Sequence, residues 1–159
     1  MRNLQPILLL TAFSIRPGDA VTQGDTELAV YAGVLAHYAT GDSLVLSDTA
    51  RSFERRWLDT PVLAKDSSLA QLTVAPSPRP LHDTDFTSPG LVLRTIQDSD
   101  SRSAAYHEFS RVAFSRDSTH AVVYFAYNCS FCGFGSLYFL RRASNGTWEI
   151  SEEVNLWIS

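Results

Sequence analysis

The sequence predicts an α+β domain: an N-terminal helix packed on a mainly antiparallel C-terminal β-meander. Three observations carry this reading. After Thr26, the residues Leu28, Tyr31, Ala32, Leu35 and Tyr38 recur at helical spacing. From Tyr106 to Ser159 the chain reads as strand-like runs separated by turn residues. Within that stretch Asn145-Gly146 stands between two such runs, and Asn-Gly is the strongest short hairpin signal a sequence offers.

Size and charge narrow the classes. A chain of 159 residues is one domain's worth, enough to bury a core without metal or several disulfides. Apolar content of 45% with 19% charged residues argues against global disorder. The net charge is −4 and no basic patch is visible, so the electrostatic footprint of a nucleic-acid-binding protein is missing.

Residues 1–20 read as a signal peptide. Arg2 precedes the apolar run from Pro6 to Phe13, and small residues follow it. The run is too short to span a bilayer, which needs ~20 apolar residues. Its alternative is a buried first strand. With the leader removed, residues 21–159 form a single exported domain, periplasmic or extracellular, with no integral membrane segment, and its thiols meet an oxidising compartment.

The elements follow in order. Asp25 or Thr26 caps a helix that begins at Glu27, with Val30 and Val34 beside its apolar stripe. Gly33 suits close packing on a sheet, and Gly41 suits a left-handed cap. Ser43 to Ser47 is a short strand. Thr49 to Leu58 is a second helix candidate, with Phe53 and Trp57 one turn apart and Arg51, Arg55 and Arg56 outward. Lys65 to Leu72 is a short third one. Pro76, Pro78, Pro80 and Pro89 make the stretch between them a loop, of a length that is often functional. Leu91 to Ile96 is a strand, and Gln97 to Ser103 a polar linker.

The terminal sheet opens with Phe109 to Ser115. Ala121 to Tyr127 is a continuous apolar run, as in a strand buried on both faces. Ser136 to Arg141 returns. In the last strand, Thr147 to Ile158, period two puts Trp148, Ile150, Val154, Leu156 and Ile158 on one face. Only Glu152 and Trp157 break the alternation. This predicts a sheet with one face covered and the other partly wet.

Cys129-x-x-Cys132 is the one motif with chemistry in it. Its first reading is a structural disulfide worth ~2 kcal/mol by loop closure, which fixes turn geometry. Gly133 and Gly135 then supply backbone angles for the crowded turn. A redox pair, half a zinc site, and a catalytic cysteine with His107 or His120 are the other readings. A redox pair normally sits at a helix start, and a structural zinc site needs four ligands. His37, His82, His107 and His120 are scattered, so no metal site and no cofactor is expected. Asp83-Thr-Asp85 and Asp98-Ser-Asp100 read as solvated loops. Tyr124, Tyr127, Phe131, Phe134, Tyr138 and Trp157 concentrate aromatic rings around the Cys turn. Phe131 and Phe134 flank the turn closely and are the candidate contact residues.

Three segments together resemble a family of uncharacterised exported bacterial proteins. They are Glu27 to Leu35 leading to Leu44 to Asp48, then Ser110 to Asp117 followed by Ala121 to Tyr124, and the ending Cys129-x-x-Cys132-Gly-x-Gly135 through Gly146-x-Trp148 to Trp157-Ile-Ser159. The resemblance implies export and a single domain, and brings no catalytic residues. By analogy, a sheet wrapped on a helix is similar to the cystatin-like or nuclear-transport-factor-like cone. The function expected is non-catalytic binding of a protein, peptide or small ligand. The expected surfaces are the proline stretch and the Cys129 to Gly135 turn. The alternative is a small enzyme, either thiol-dependent or a hydrolase with carboxylates in a cavity.

Overall fold

The computed structural model of the chain describes residues 23–38, 44–59, 69, 71–86, 90–97 and 105–159. The expected leader, most of the third helix and the Asp98-Ser-Asp100 linker lie outside the described residues.

Helix α1 runs Gln23–Tyr38, starting ahead of the expected Glu27. Val30, Tyr31, Val34 and Leu35 are buried, and so is Glu27, while Ala32 is exposed. Among the described residues ten strands follow: β1 Leu44–Ser47, β2 Thr49–Ala50, β3 Leu72–Val74, β4 Arg79–Pro80, β5 Leu91–Arg94, β6 Tyr106–Phe109, β7 Ala113–Ser115, β8 His120–Asn128, β9 Gly133–Arg142 and β10 Trp148–Ile158. The main sheet has eight strands in the order β10-β9-β8-β6-β1-β5, with β7 beside β8 and β3 beside β7. Strand β1 runs parallel to β5 and β6, and the other pairings are antiparallel. The fold is α+β with a curled sheet, as the sequence predicts.

The curl has a local cause. The expected strand from Phe109 to Ser115 is two strands, β6 and β7, which pair with different stretches of β8. Ser110 to Val112 forms the corner between them. Such a corner interrupts the ladder, and its backbone groups need other partners. Ser110 Oγ accepts from the Tyr124 N–H at 3.0 Å, and Glu27 Oε1 accepts from the Val112 N–H at 3.0 Å.

Both faces of the sheet are covered. On one, Val123, Phe125, Tyr138 and Leu140 pack with the buried face of α1. On the other, Val122, Tyr124, Leu137 and Phe139 pack with Phe53, Trp57 and Leu69, joined by Leu72 and Val74 of β3. The expected partly wet face is therefore corrected: the segment after β2 fills it. That segment is not the expected helix. Thr49–Ala50 is a strand, and only Arg55–Leu58 coils, as a 3-10 helix. The Arg51 N–H donates to the Phe109 carbonyl at 2.9 Å, and its carbonyl accepts from the Arg111 N–H at 2.7 Å. These bonds to the corner outweigh the helical pattern.

The described part of the proline stretch, residues 76–86, is also more ordered than a loop. Arg79–Pro80 pairs with β2, a two-stranded ladder whose edge tolerates proline. Asp83–Asp85 is a 3-10 turn closed by a capping box with His82.

The last strand departs from period two. Register shifts fall between Ile150 and Glu152 and between Asn155 and Trp157. Each bulge turns the following side chains to the other face. Trp148 and Ile150 therefore join the helix-side core, while Val154 and Leu156 join the opposite one. The five residues expected on one face are divided between two.

Candidate functional site

The end of the sheet that carries the Cys turn is built from β8, β9 and β10. Cys129 and Cys132 are joined by a disulfide, and the Cys129 N–H donates to the Cys132 carbonyl at 3.1 Å. The turn lies between two strands, β8 and β9. Joined, neither sulfur is the thiolate that a thiol-dependent enzyme needs. Ser159 and Gly133 exchange backbone hydrogen bonds of 3.0 and 3.3 Å, so the end of β10 is tied beside the turn.

The two glycines after the turn differ: Gly133 takes the expected unusual backbone angle, a φ of 159°. Gly135 adopts no unusual backbone angle. A Cβ there would stand 2.2 Å from Trp157 Nε1 and 2.5 Å from the Tyr124 hydroxyl. At Gly133 it would stand 2.7 Å from the Tyr127 carbonyl. Gly135 is held bare so that the Trp157 indole can lie across β9, while at Gly133 the Tyr127 backbone carbonyl leaves no room. Trp157 Nε1–H donates to the Tyr124 hydroxyl at 3.0 Å. Tyr124 stacks on Trp57 at 4.4 Å, and the Arg51 guanidinium lies over both rings. Arg51 also pairs with Glu54 at 2.8 Å and Glu108 at 3.2 Å.

Phe131 and Phe134 are placed very differently. Phe134 is half-buried and stacks on Tyr38 of α1 at 5.6 Å, with Phe125 and Tyr127 nearby. Phe131 is 98% exposed at the tip of the turn. Ile158 is 75% and Trp157 37% exposed. Among the described residues four large apolar side chains are exposed, and three of them gather at this end; Val92 is the fourth.

Below the ring cluster, the Tyr138 hydroxyl lies 2.7 Å from that of Tyr38 and donates to Glu153 Oε1 at 2.9 Å. Burial, then the neighbouring hydroxyl and carboxylate, push the Tyr138 phenol far above the usual range. It stays a neutral donor.

Sequence reasoning missed Glu27. Fully buried, its carboxylate takes Arg111 Nε–H at 2.9 Å, Arg111 Nη2–H at 3.0 Å and Arg79 Nη1–H at 3.2 Å, besides the Val112 N–H. Arg111 Nη1–H continues to the Ser77 carbonyl at 2.6 Å. The available signal was an acid on the same helical face as Val30, Tyr31 and Val34. Every oxygen is occupied by a partner, so the cluster is a clamp.

A groove of 430 Å³ opens beside β1, lined by Asp48, His82, Asp83, Thr84 and Thr95 with Leu81 and Leu93. Asp48 accepts from the Thr95 hydroxyl at 2.5 Å and the Thr49 hydroxyl at 3.1 Å. His107 is elsewhere, on β6, and His120 at the start of β8 lies 2.9 Å from the Thr119 hydroxyl. Among the described residues no three of His, Cys, Asp and Glu are grouped to hold a metal ion, and no helix is long and apolar enough to cross a membrane. No family model matches the chain, and no curated protein or solved structure matches it.

Proposed function

We propose that the protein is an exported domain that binds a partner protein without catalysis, through the disulfide-closed end of its sheet. One observation carries this reading. A phenylalanine is held almost wholly in solvent on a short covalent ring, at the same end of the sheet as the exposed Ile158, where the buried strands β8 and β9 meet. Exposed apolar groups gathered on a rigid base mark interaction sites. The leader-like start of the sequence and the joined cysteines support export. So does the resemblance of its three segments to exported bacterial proteins.

The test separates contact from core. Phe131→Ser is expected to leave the melting temperature unchanged within about 1 °C, because a solvated side chain contributes little to packing. The same change should weaken partner capture from cell-envelope material. Phe134→Ser is expected to cost ~1–3 kcal/mol, since it removes half-buried ring contacts. A large melting drop in Phe131→Ser, with capture unaltered, would overturn the reading.

A second reading, a small hydrolase, is favoured by the groove at Asp48, His82 and Asp83. Both Asp48 oxygens already accept hydrogen bonds, which leaves this reading second.

A further inference from the structure

Strand β10 is a long sheet edge. It has eleven residues, against four in β5 at the other end of the sheet. Among the described residues its ladder runs to β9 on one side only. At its end, Ser159 and Gly133 form a doubly bonded pair. In an antiparallel ladder the next residue turns its N–H and C=O outward. That residue is Ile158, so its backbone groups face the free edge beside its own exposed side chain.

The edge is also charged with one sign. Its sequence, Trp148–Ile158, holds Glu149, Glu152 and Glu153 and no Lys or Arg. All three acids are exposed. Glu153 accepts from Tyr138, and Glu149 stands across from Arg141. Glu152 stands across from Phe139, with no cation opposite.

These charges discriminate between occupants. A second copy pairing antiparallel about the middle of β10 would set Glu153 against the same residue of its partner. Like charges directly opposite destabilise a strand pair. An incoming strand with cations at those positions meets no such penalty.

We propose that the free edge of β10 takes up an extended protein segment as an added strand. The segment carries Arg or Lys opposite Glu149 and Glu152, and an apolar residue at the end beside Ile158 and Phe131. Main-chain hydrogen bonds hold it, and the acids and the apolar tip select it. This deepens the proposed interaction function and rests on it.

The experiment uses the full chain and a short synthetic peptide of alternating Arg and Val with a terminal Phe. Calorimetric titration is expected to show binding. N-methylation of alternate backbone amides in the peptide should weaken it about tenfold or more, since several main-chain bonds are lost. Exchanging Arg for Glu in the peptide should abolish it. The Glu149→Gln, Glu152→Gln double variant should weaken it several-fold with its melting temperature unchanged. Absence of binding, equal binding of the N-methylated peptide, or equal binding of the acidic peptide would each overturn strand addition. If the peptide fails while capture still depends on Phe131, strand addition falls and the tip remains the contact. If both fail, the interaction function falls with it.

Discussion

His107 shows how one side chain ties chemistry to stability here. Its ring lies 5.4 Å from that of Phe125 and 4.8 Å from that of Tyr127. Its Nδ1–H donates to the Val45 carbonyl at 3.2 Å, joining β6 to β1. Burial disfavours the imidazolium and pulls the pKa below 6.5, a shift that the carbonyl partly opposes. The unfolded chain therefore takes up this proton at a higher pH than the folded one. Between the two values the unfolded state binds more protons, so stability rises with pH across that window. The contribution is complete above the unfolded pKa and is lost as pH falls through the window to the folded pKa. The melting temperature should fall as pH is lowered through the region below 6.5. His107→Phe keeps a stacked ring and has no proton to take up, so it should flatten that part of the curve. An unchanged slope in the variant would show that other groups cause it. Gly135 teaches a second lesson at this scale. The turn made a glycine there readable, but its cause is the Trp157 indole lying across it. That contact depends on a bulge in β10, which no local pattern announces.

Among the elements, the central event is the corner between β6 and β7. Glu27 reaches it from α1, Arg111 extends from it, and Arg79 arrives from β4. The carboxylate joins three elements that the sequence separates widely. Removing one partner of a buried charge cluster typically costs ~3–5 kcal/mol, because the remaining charges lose their compensation. Glu27→Ala should therefore lower the melting temperature by roughly 6–20 °C for a chain of this size. Calorimetry checks this, and a shift below about 2 °C would show that water replaces the carboxylate at little cost. Strands β8 and β9 and the hairpin at Asn145-Gly146 were legible, because continuous apolar runs and a turn dipeptide are local signals. Gly146 takes a positive φ of 88° there. The segment from Thr49 to Leu58 was not legible. Its helical spacing is real, and Phe53 packs on Trp57 at 5.3 Å, but Arg51 is drawn into the corner by partners beyond position 100. The split of β10 between two faces was hidden for the same reason.

At the scale of the whole molecule, both faces of the sheet are occupied, by α1 on one side and the 53–57 segment with β3 on the other. Among the described residues, the disulfide-closed end and the long β10 edge stay open. The end was readable as a place, since Cys129, Cys132 and the clustered rings name it. The separate roles of Phe131 and Phe134 were not, because they depend on whether Tyr38 reaches the turn. The free edge of β10 was not readable either, since strand order is a property of the assembled sheet. The most direct test of the proposed interaction surface is site-specific photo-crosslinking in cells that make the protein. A photoreactive phenylalanine analogue replaces Phe131 in one variant and Asn145, an exposed residue in the β9–β10 turn, in another. A discrete protein adduct from position 131 and none from position 145 is the expected result. No adduct from position 131, or the same adducts from both positions, would contradict a docking surface at the disulfide-closed tip.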